Sequence, residues 1–184
     1  MISTFLLTSA IILLTPGPTN TVLAASGAAR GMRRSRLLPF AEAGGYALAI
    51  SVFVCAATLV RDLWWVMPAM KIAASMWLAF CAVRLWSTSP QAPMTAGPGA
   101  FGRVFFTTIL NPKAMIVGTM LIPEASADEV ALRVAGFVVL STLAGFGWVA
   151  LGAALPGSIR RHSYKGAAFI LGGFSVAAIT SAFA

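Results

Sequence analysis

Apolar residues in this chain form six long segments that are separated by short, more polar connections. The segments are residues 2–25, 37–60, 66–86, 101–122, 130–155 and 166–184. Each can cross about 30 Å of hydrocarbon as an α-helix, because a helix rises about 1.5 Å per residue. The pattern therefore predicts an all-α integral membrane protein with six transmembrane helices in a single domain, residues 1–184.

Two of the segments contain polar interruptions that carry proline. The first is Thr15-Pro16-Gly17-Pro18-Thr19-Asn20, and the second is Ile109-Leu110-Asn111-Pro112-Lys113. Proline removes a backbone donor and clashes with the preceding turn, and glycine loosens the chain further. Broken backbone inside a membrane is tolerated only where protein or a polar cavity satisfies the freed groups. We therefore expect both interruptions, called the first break (15–20) and the second break (109–113), to line a cavity.

The two breaks occupy corresponding positions in two halves of the chain. Residues 1–86 and 101–184 each contain three segments, and the proline- and glycine-rich residues 87–100 between them predict a linker. Because three is odd, the second trio enters the membrane in the opposite sense, which gives an inverted-topology repeat. Helices 1 and 4 are then broken near the midplane, and paired interruptions of this kind indicate a transporter's substrate site. The alternative is that each proline only kinks a packed helix.

Connections that are rich in lysine and arginine alternate along the chain with connections that contain few of these residues. The first, third and fifth connections or their flanks carry Arg30, Arg33, Arg34, Arg36, Arg84, Arg103, Arg160, Arg161 and Lys165. The second and fourth have Arg61 beside Asp62, and Arg133 against Glu124, Asp128 and Glu129. Because positive loops stay on the cytoplasmic side, both termini are predicted to be periplasmic in an inner-membrane protein.

Composition agrees with a membrane protein and excludes other classes. Hydrophobic residues make up 59% of the chain and charged residues only 10%, against about 25% in soluble domains. The net charge of +8 raises nucleic acid as a partner, but the basic residues form short clusters without interleaved aromatic residues. We expect membrane lipid to be a partner of the protein, and we expect no nucleic acid to bind it.

Lys113 is a candidate substrate ligand, because it lies deep inside the fourth segment. A charge at the centre of a membrane helix costs about 3 kcal/mol, so its side chain should face the interior of the bundle. There it could bind a carboxylate or move with a proton. The alternative is that the side chain snorkels to the inner interface.

Glu42 is a candidate proton-coupling group within the second segment. Tyr46 follows four positions later, so carboxyl and phenol share a helix face. A desolvated carboxyl retains its proton unless a cation lies nearby, which suits a group that carries protons. Pairing with Lys113 is a second alternative, and interfacial pairing with Arg34 or Arg36 is a third.

The polar side chains of the breaks have two interpretations that the sequence leaves equally open. Asn20, Asn111, Thr15 and Thr19 either bind substrate or satisfy carbonyls freed by the prolines. Half-helices that restart after each break would also present free N–H groups to a carboxylate. The predicted substrate-binding residues are Thr15, Pro16, Gly17, Pro18, Thr19, Asn20, Tyr46, Asn111, Pro112 and Lys113.

Enzymatic function is not expected from this sequence. The chain has one histidine, His162, and neither an HExxH nor a GxSxG motif. Cys55 and Cys81 lie inside apolar segments and not in a CxxC pair, so they read as inert thiols. We expect no metal site and no cofactor. The alternative to a transporter is a channel or a membrane scaffold that transports nothing.

The Pro-Gly-Pro-Thr-Asn run at 16–20, with Ser26-Gly27, Gly31 and its arginines, Asn111-Pro112-Lys113 and Pro123, resembles the LysE/RhtB family of amino acid exporters. The resemblance implies a six-helix inner-membrane carrier that exports amino acids or small derivatives. It also implies coupling to the proton gradient, and it allows a homodimer.

Overall fold

The computed structural model describes residues 2–60, 63–87, 98–122, 126–156 and 163–182, and these ranges are all-helical. The helices are α1 (Ile2–Leu14), α2 (Pro18–Ser35), α3 (Leu38–Val60), α4 (Val66–Trp86), α5 (Pro98–Ile109), α6 (Pro112–Ile116), which continues as a π-helical turn (Val117–Leu121), α7 (Ala127–Ala154) and α8 (Ser163–Ala182). No strand occurs in these ranges. The all-α prediction is confirmed.

Some of these helices have the length and composition of membrane spans. Within the described residues, Leu38–Ala56 and Ala127–Ala154 are each apolar and long enough to cross a membrane. Helices α1 and α2, which are bent by 57° at their junction, form a third candidate when they are taken as one span. These helices are those of a membrane protein. The prediction of six spans goes beyond this finding and stays a prediction.

Both predicted breaks are present in the backbone. Helix α1 ends at Leu14 and α2 begins at Pro18, with Gly17 extended (φ −163°) as the N-cap of α2. Helix α5 ends at Ile109 and α6 begins at Pro112, with Asn111 extended as its N-cap. Proline suits the first position of a helix, because the N–H that it lacks has no partner there in any case.

The first helix pair reaches further along the chain than the predicted segment 2–25. Helix α2 continues to Ser35 and bends at Gly31, whose φ of 74° lies in the left-handed region. Glycine adopts this region without the steric penalty that a Cβ atom brings. The bend therefore turns the last residues of α2, including Arg33 and Arg34, away from the helix axis.

Close approaches between backbones hold the helices of the bundle together. Helix α2 packs on α7 and α8, α1 packs on α7, α3 packs on α5 and α7, and α4 packs on α8. A Cβ atom at Gly27 would overlap the Val149 carbonyl oxygen, and one at Gly152 would overlap the Ala24 carbonyl oxygen. Small residues permit this approach in membrane helices, so α2 and α7 touch along their backbones.

Two further contacts join elements that are distant in sequence. A Cβ atom at Gly118, in the π-helical turn, would lie 3.1 Å from the Ile50 carbonyl oxygen on α3. Ser75 on α4 and Ser175 on α8 exchange hydrogen bonds, since each hydroxyl donates to the carbonyl of the other at 2.9 Å. These contacts cross between the two halves of the chain.

Part of the sequence-based prediction falls outside the described residues. Most of the predicted linker, residues 88–97, lies there. The same holds for Arg61, Asp62, Pro123, Glu124, Arg160, Arg161 and His162.

Candidate functional site

The two breaks are in direct contact through Lys113. The Lys113 ammonium donates a hydrogen bond to the Thr15 carbonyl. Its aliphatic stem lies against Gly17, where a Cβ atom would be 3.0 Å from Lys113 Cε. The half-buried Lys113 side chain thus ends at the first break. A positive charge at this place also complements the C-terminal end of α1.

A buried polar cluster lies behind this contact. The Asn111 amide donates to the Thr19 hydroxyl at 3.0 Å and to the Tyr46 hydroxyl at 3.3 Å. The Thr108 hydroxyl lies 3.3 Å from the Thr19 hydroxyl and donates to the Val104 carbonyl at 2.8 Å. Each of Thr19, Tyr46, Thr108 and Asn111 is at most 2% exposed. The fold therefore brings predicted residues of both breaks and of α3 together.

Gly45 explains how Tyr46 reaches the second break. A Cβ atom at Gly45 would lie 2.8 Å from Thr108 Cβ and 2.9 Å from the Phe105 carbonyl oxygen. Without a side chain at this position, α3 approaches α5 closely enough for Tyr46 to meet Asn111. Thr108 itself was missed from sequence, although it precedes Asn111 by one helical turn.

The asparagine side chains bond protein atoms in this structure. Asn20 donates to the Leu13 and Thr15 carbonyls, each at 2.9 Å, and both carbonyls lie at the end of α1. The Asn111 side-chain oxygen accepts the Lys113 backbone N–H at 3.0 Å. Helix α6 therefore does not present that N–H freely, contrary to the expectation, whereas α2 has no side-chain cap at Gly17.

The other predicted residues of the first break differ in exposure. Thr15 and Pro16 are exposed, and Gly17 and Pro18 are buried. The Thr15 hydroxyl donates to the Ile11 carbonyl at 2.8 Å, so its side chain stays on α1. The Thr15 backbone carbonyl, rather than its hydroxyl, is the group that meets Lys113.

Glu42 is buried one helical turn before Tyr46. The residue is 1% exposed, and its Oε2 atom has no hydrogen-bond partner. This atom points at α7, where a Cβ atom on Gly145 would lie 2.5 Å from it. Lys113 acts on the carboxyl electrostatically. Arg34 and Arg36, the interfacial alternatives, are exposed.

Two buried serine hydroxyls on α1 and α7 also lack hydrogen-bond partners. Ser9 on α1 and Ser141 on α7 are 0% exposed, and both hydroxyl oxygens lack a hydrogen-bond partner. Ser141 precedes Gly145 by four positions and so lies on the same face of α7. Buried polar atoms normally bond protein or ordered water, so these two hydroxyls are exceptions to the usual pairing.

An apolar groove opens beside the first break, between α1 and α7. Its volume is about 600 Å³. It is lined by Ala10, Leu13, Leu14, Leu140, Leu143, Ala144, Gly147, Trp148 and Leu151. The Trp148 indole N–H donates to the Leu13 carbonyl at 3.3 Å, which ties α7 to the break. Sequence reasoning missed this groove, because α7 is apolar on every side and no periodicity marks one face.

These features define an all-helical membrane protein in which two helix breaks meet at a lysine, in front of a buried polar cluster. Among the described residues, no group of three or more His, Cys, Asp or Glu side chains could hold a metal ion. Comparison with protein-family models, with curated proteins and with solved structures finds no match to this chain.

Proposed function

We propose that the protein is a secondary transporter that exports amino acids or small amino acid derivatives across the inner membrane, driven by the proton gradient. The observation that carries the proposal is the contact between Lys113 and the Thr15 carbonyl, which brings both breaks to one place. Discontinuous helices in corresponding positions of two halves form the substrate sites of many secondary transporters. The motif resemblance to the LysE/RhtB family supports the same function.

The six-span inverted repeat is part of this proposal, and the helix packing supports it. Under an inverted repeat, contacts made by one half are expected to recur with the halves exchanged, and three of them do. The packing of α1 on α7 has its counterpart in α5 on α3. The approach of Gly27 to α7 has its counterpart in Gly118 on α3. The two bonds between Ser75 and Ser175 turn into each other when the halves are exchanged, because each hydroxyl donates to the carbonyl of the other residue.

Charge and tryptophan positions support the predicted orientation. Lys165 at the start of α8 lies 5.7 Å from the centre of the Trp86 ring at the end of α4. These residues belong to the basic connections that we assign to the cytoplasm. Exposed Trp64 and Trp65 precede α4 at its other end, where an interfacial position suits their rings.

Lys113 is the group that we assign to the substrate carboxylate. An amino acid is a zwitterion, so its site needs a cation for the carboxylate and an acceptor for the ammonium. Lys113 supplies the cation, and the Thr15 carbonyl becomes an acceptor when the lysine turns toward the substrate. The substrate therefore replaces the internal contact between Lys113 and the Thr15 carbonyl.

Glu42 is the group that we assign to proton coupling. Its carboxyl is buried near Tyr46 and senses the charge of Lys113. A substrate carboxylate that neutralises Lys113 removes the field that opposes protonation of Glu42. Substrate and proton then bind in a linked manner. The unpartnered hydroxyl of Ser141, on the face of α7 that Glu42 points at, is a polar neighbour that we assign to this proton.

Counterflow in proteoliposomes tests the proposal against the alternatives, a channel or a scaffold. Vesicles with purified protein are loaded with one amino acid at a time, and exchange is followed with and without an imposed proton gradient. The proposal predicts saturable exchange that the gradient drives and an uncoupler abolishes. Unsaturable current would indicate a channel, and the absence of flux for every amino acid would exclude the exporter.

A further inference from the structure

We propose that the transported amino acid has an apolar side chain, and that this side chain lies in the groove between α1 and α7. The proposal rests on the exporter function and narrows its substrate class. Sequence and motif resemblance do not indicate which amino acid is transported. The groove indicates the class of this amino acid, because it adjoins the first break and its lining is apolar throughout.

The groove and the contact made by Lys113 meet at the same end of α1. Leu13 and Leu14, the last residues of α1, form the end of the groove at the first break. The carbonyl that meets Lys113 belongs to the next residue, Thr15. Consecutive Cα atoms are about 3.8 Å apart. This adjacency along the chain is the reason for placing the substrate carboxylate at Lys113 and its side chain in the groove.

The backbone at the same place offers the substrate ammonium a second acceptor, the Leu14 carbonyl, beside the Thr15 carbonyl. In a continuous helix the Leu14 carbonyl would accept a hydrogen bond from the residue four positions later. That residue is Pro18, which has no N–H. The hydrogen bonds of the described residues include none to the Leu14 carbonyl. The substrate carboxylate therefore has Lys113 as its partner. The substrate ammonium and side chain have partners at the end of α1, next to the carbonyl that Lys113 contacts.

The lining of the groove selects against polar and charged side chains. Its side chains are aliphatic except for the Trp148 indole, whose N–H is already bonded to the Leu13 carbonyl. A hydroxyl, amide or ammonium placed there would lose water without gaining a partner. An aliphatic or aromatic side chain loses no hydrogen bonds. The groove volume, about 600 Å³, falls within the range of small-molecule sites, about 300–1,000 Å³.

Gly147 offers a way to fill the groove without disturbing the fold. A Cβ atom at Gly147 meets no heavy atom within 4 Å. Gly147→Val should thus add bulk to the groove and leave the packing of α7 intact. Gly172 is a matched control, because its Cβ also meets nothing within 4 Å and it lines a different groove, between α4 and α8.

Competitive counterflow of leucine, phenylalanine, alanine, serine and lysine measures the selectivity of each variant. The wild type should prefer leucine and phenylalanine to serine and lysine by tenfold or more. Gly147→Val should lower the ratio of leucine to alanine exchange by roughly tenfold, the scale of one or two methylenes in an apolar pocket. Gly172→Val should leave that ratio as it is in the wild type.

Leu143→Ala is the second variant, and it enlarges the groove from a residue that is 64% exposed. It should raise tryptophan exchange relative to leucine several-fold. Should Gly147→Val fail to reach the membrane, the ratio of tryptophan to leucine exchange in Leu143→Ala decides whether the substrate side chain lies in the groove.

Each other outcome overturns a definite part of the account. A wild-type preference for serine or lysine would reject the apolar substrate and leave the exporter standing. An unchanged leucine to alanine ratio in Gly147→Val would show that lipid or a second copy of the chain, rather than substrate, covers the groove. Absence of exchange for every amino acid would reject the proposed function itself.

Discussion

The Lys113 ammonium is bonded to the Thr15 carbonyl across 98 positions of sequence. One hydrogen bond thus joins the interruption between α1 and α2 to the interruption between α5 and α6. The first break removes the helical partner of this carbonyl, which instead accepts hydrogen bonds from Asn20 and Lys113. The second break places the lysine. The cation lies where a carboxylate entering the first break would meet it.

Lys113→Ala should lower amino acid exchange by roughly 100-fold, the scale of a lost hydrogen bond to a charged group. Insertion into the membrane should persist, since the side chain is only half buried. Counterflow and the yield of folded protein measure the two effects. Lys165→Ala, which removes an exposed lysine at the start of α8, is the control. Normal exchange by Lys113→Ala would remove this residue from the mechanism.

Glu42→Gln should flatten the pH dependence of exchange. Glutamine retains the shape of the buried side chain but cannot gain or lose a proton between pH 5 and 8. Initial exchange rates across this pH range, in the wild type and the variant, give the measurement. Glu129→Gln, in the exposed first turn of α7, serves as the matched control. A pH profile identical to that of the wild type would reject Glu42 as the coupling group.

The helix breaks were predictable from sequence because proline acts locally. Pro18 and Pro112 begin new helices as their chemistry requires. The cost of a charge inside a membrane predicted that Lys113 faces the interior of the bundle, and its side chain is half buried. The meeting of Lys113 with Thr15, by contrast, depends on how distant helices dock.

The sequence did not predict in the same way which helices pack against one another. Helix α7 is apolar on every face, so no periodic pattern shows which side meets α2 and which side forms the groove. The choice depends on shape, chiefly on Gly27 and Gly152, where missing side chains let backbones touch. Thr108 joins the site through the approach of α3 to α5 at Gly45. Trp148 joins it through the packing of α7 on α1.

Gly152→Ala should destabilise the protein. The added Cβ atom would overlap the Ala24 carbonyl oxygen, so α2 and α7 must separate. Overpacking of this kind costs about 1–3 kcal/mol. Gly173→Ala is the matched control, because its Cβ meets nothing within 4 Å. It gains the same helix propensity, up to about 1 kcal/mol. Thermal unfolding in detergent should rank Gly152→Ala below the wild type, and equal midpoints for the two variants would contradict the packing.

Ser75 and Ser175 should be energetically coupled. Each hydroxyl donates to the carbonyl of the other residue, and the two hydroxyl oxygens are 3.1 Å apart. Hydrogen bonds between membrane helices contribute about 0.6 kcal/mol on average and up to about 1.7. A double-mutant cycle with Ser75→Ala and Ser175→Ala should therefore give a coupling energy in this range. Additive effects would mean that α4 and α8 do not meet at these residues.

Substrate protection of the first break tests the central claim most directly. Thr15→Cys is made in a background without Cys55 and Cys81, the two native cysteines. The rate at which a charged thiol reagent modifies it is then measured in proteoliposomes with and without leucine. Ser87→Cys, at the end of α4, is the control. We predict that leucine slows modification of Thr15→Cys at least several-fold and leaves Ser87→Cys unaffected. Equal rates with and without leucine, in vesicles that exchange leucine, would contradict a substrate site where the two breaks meet.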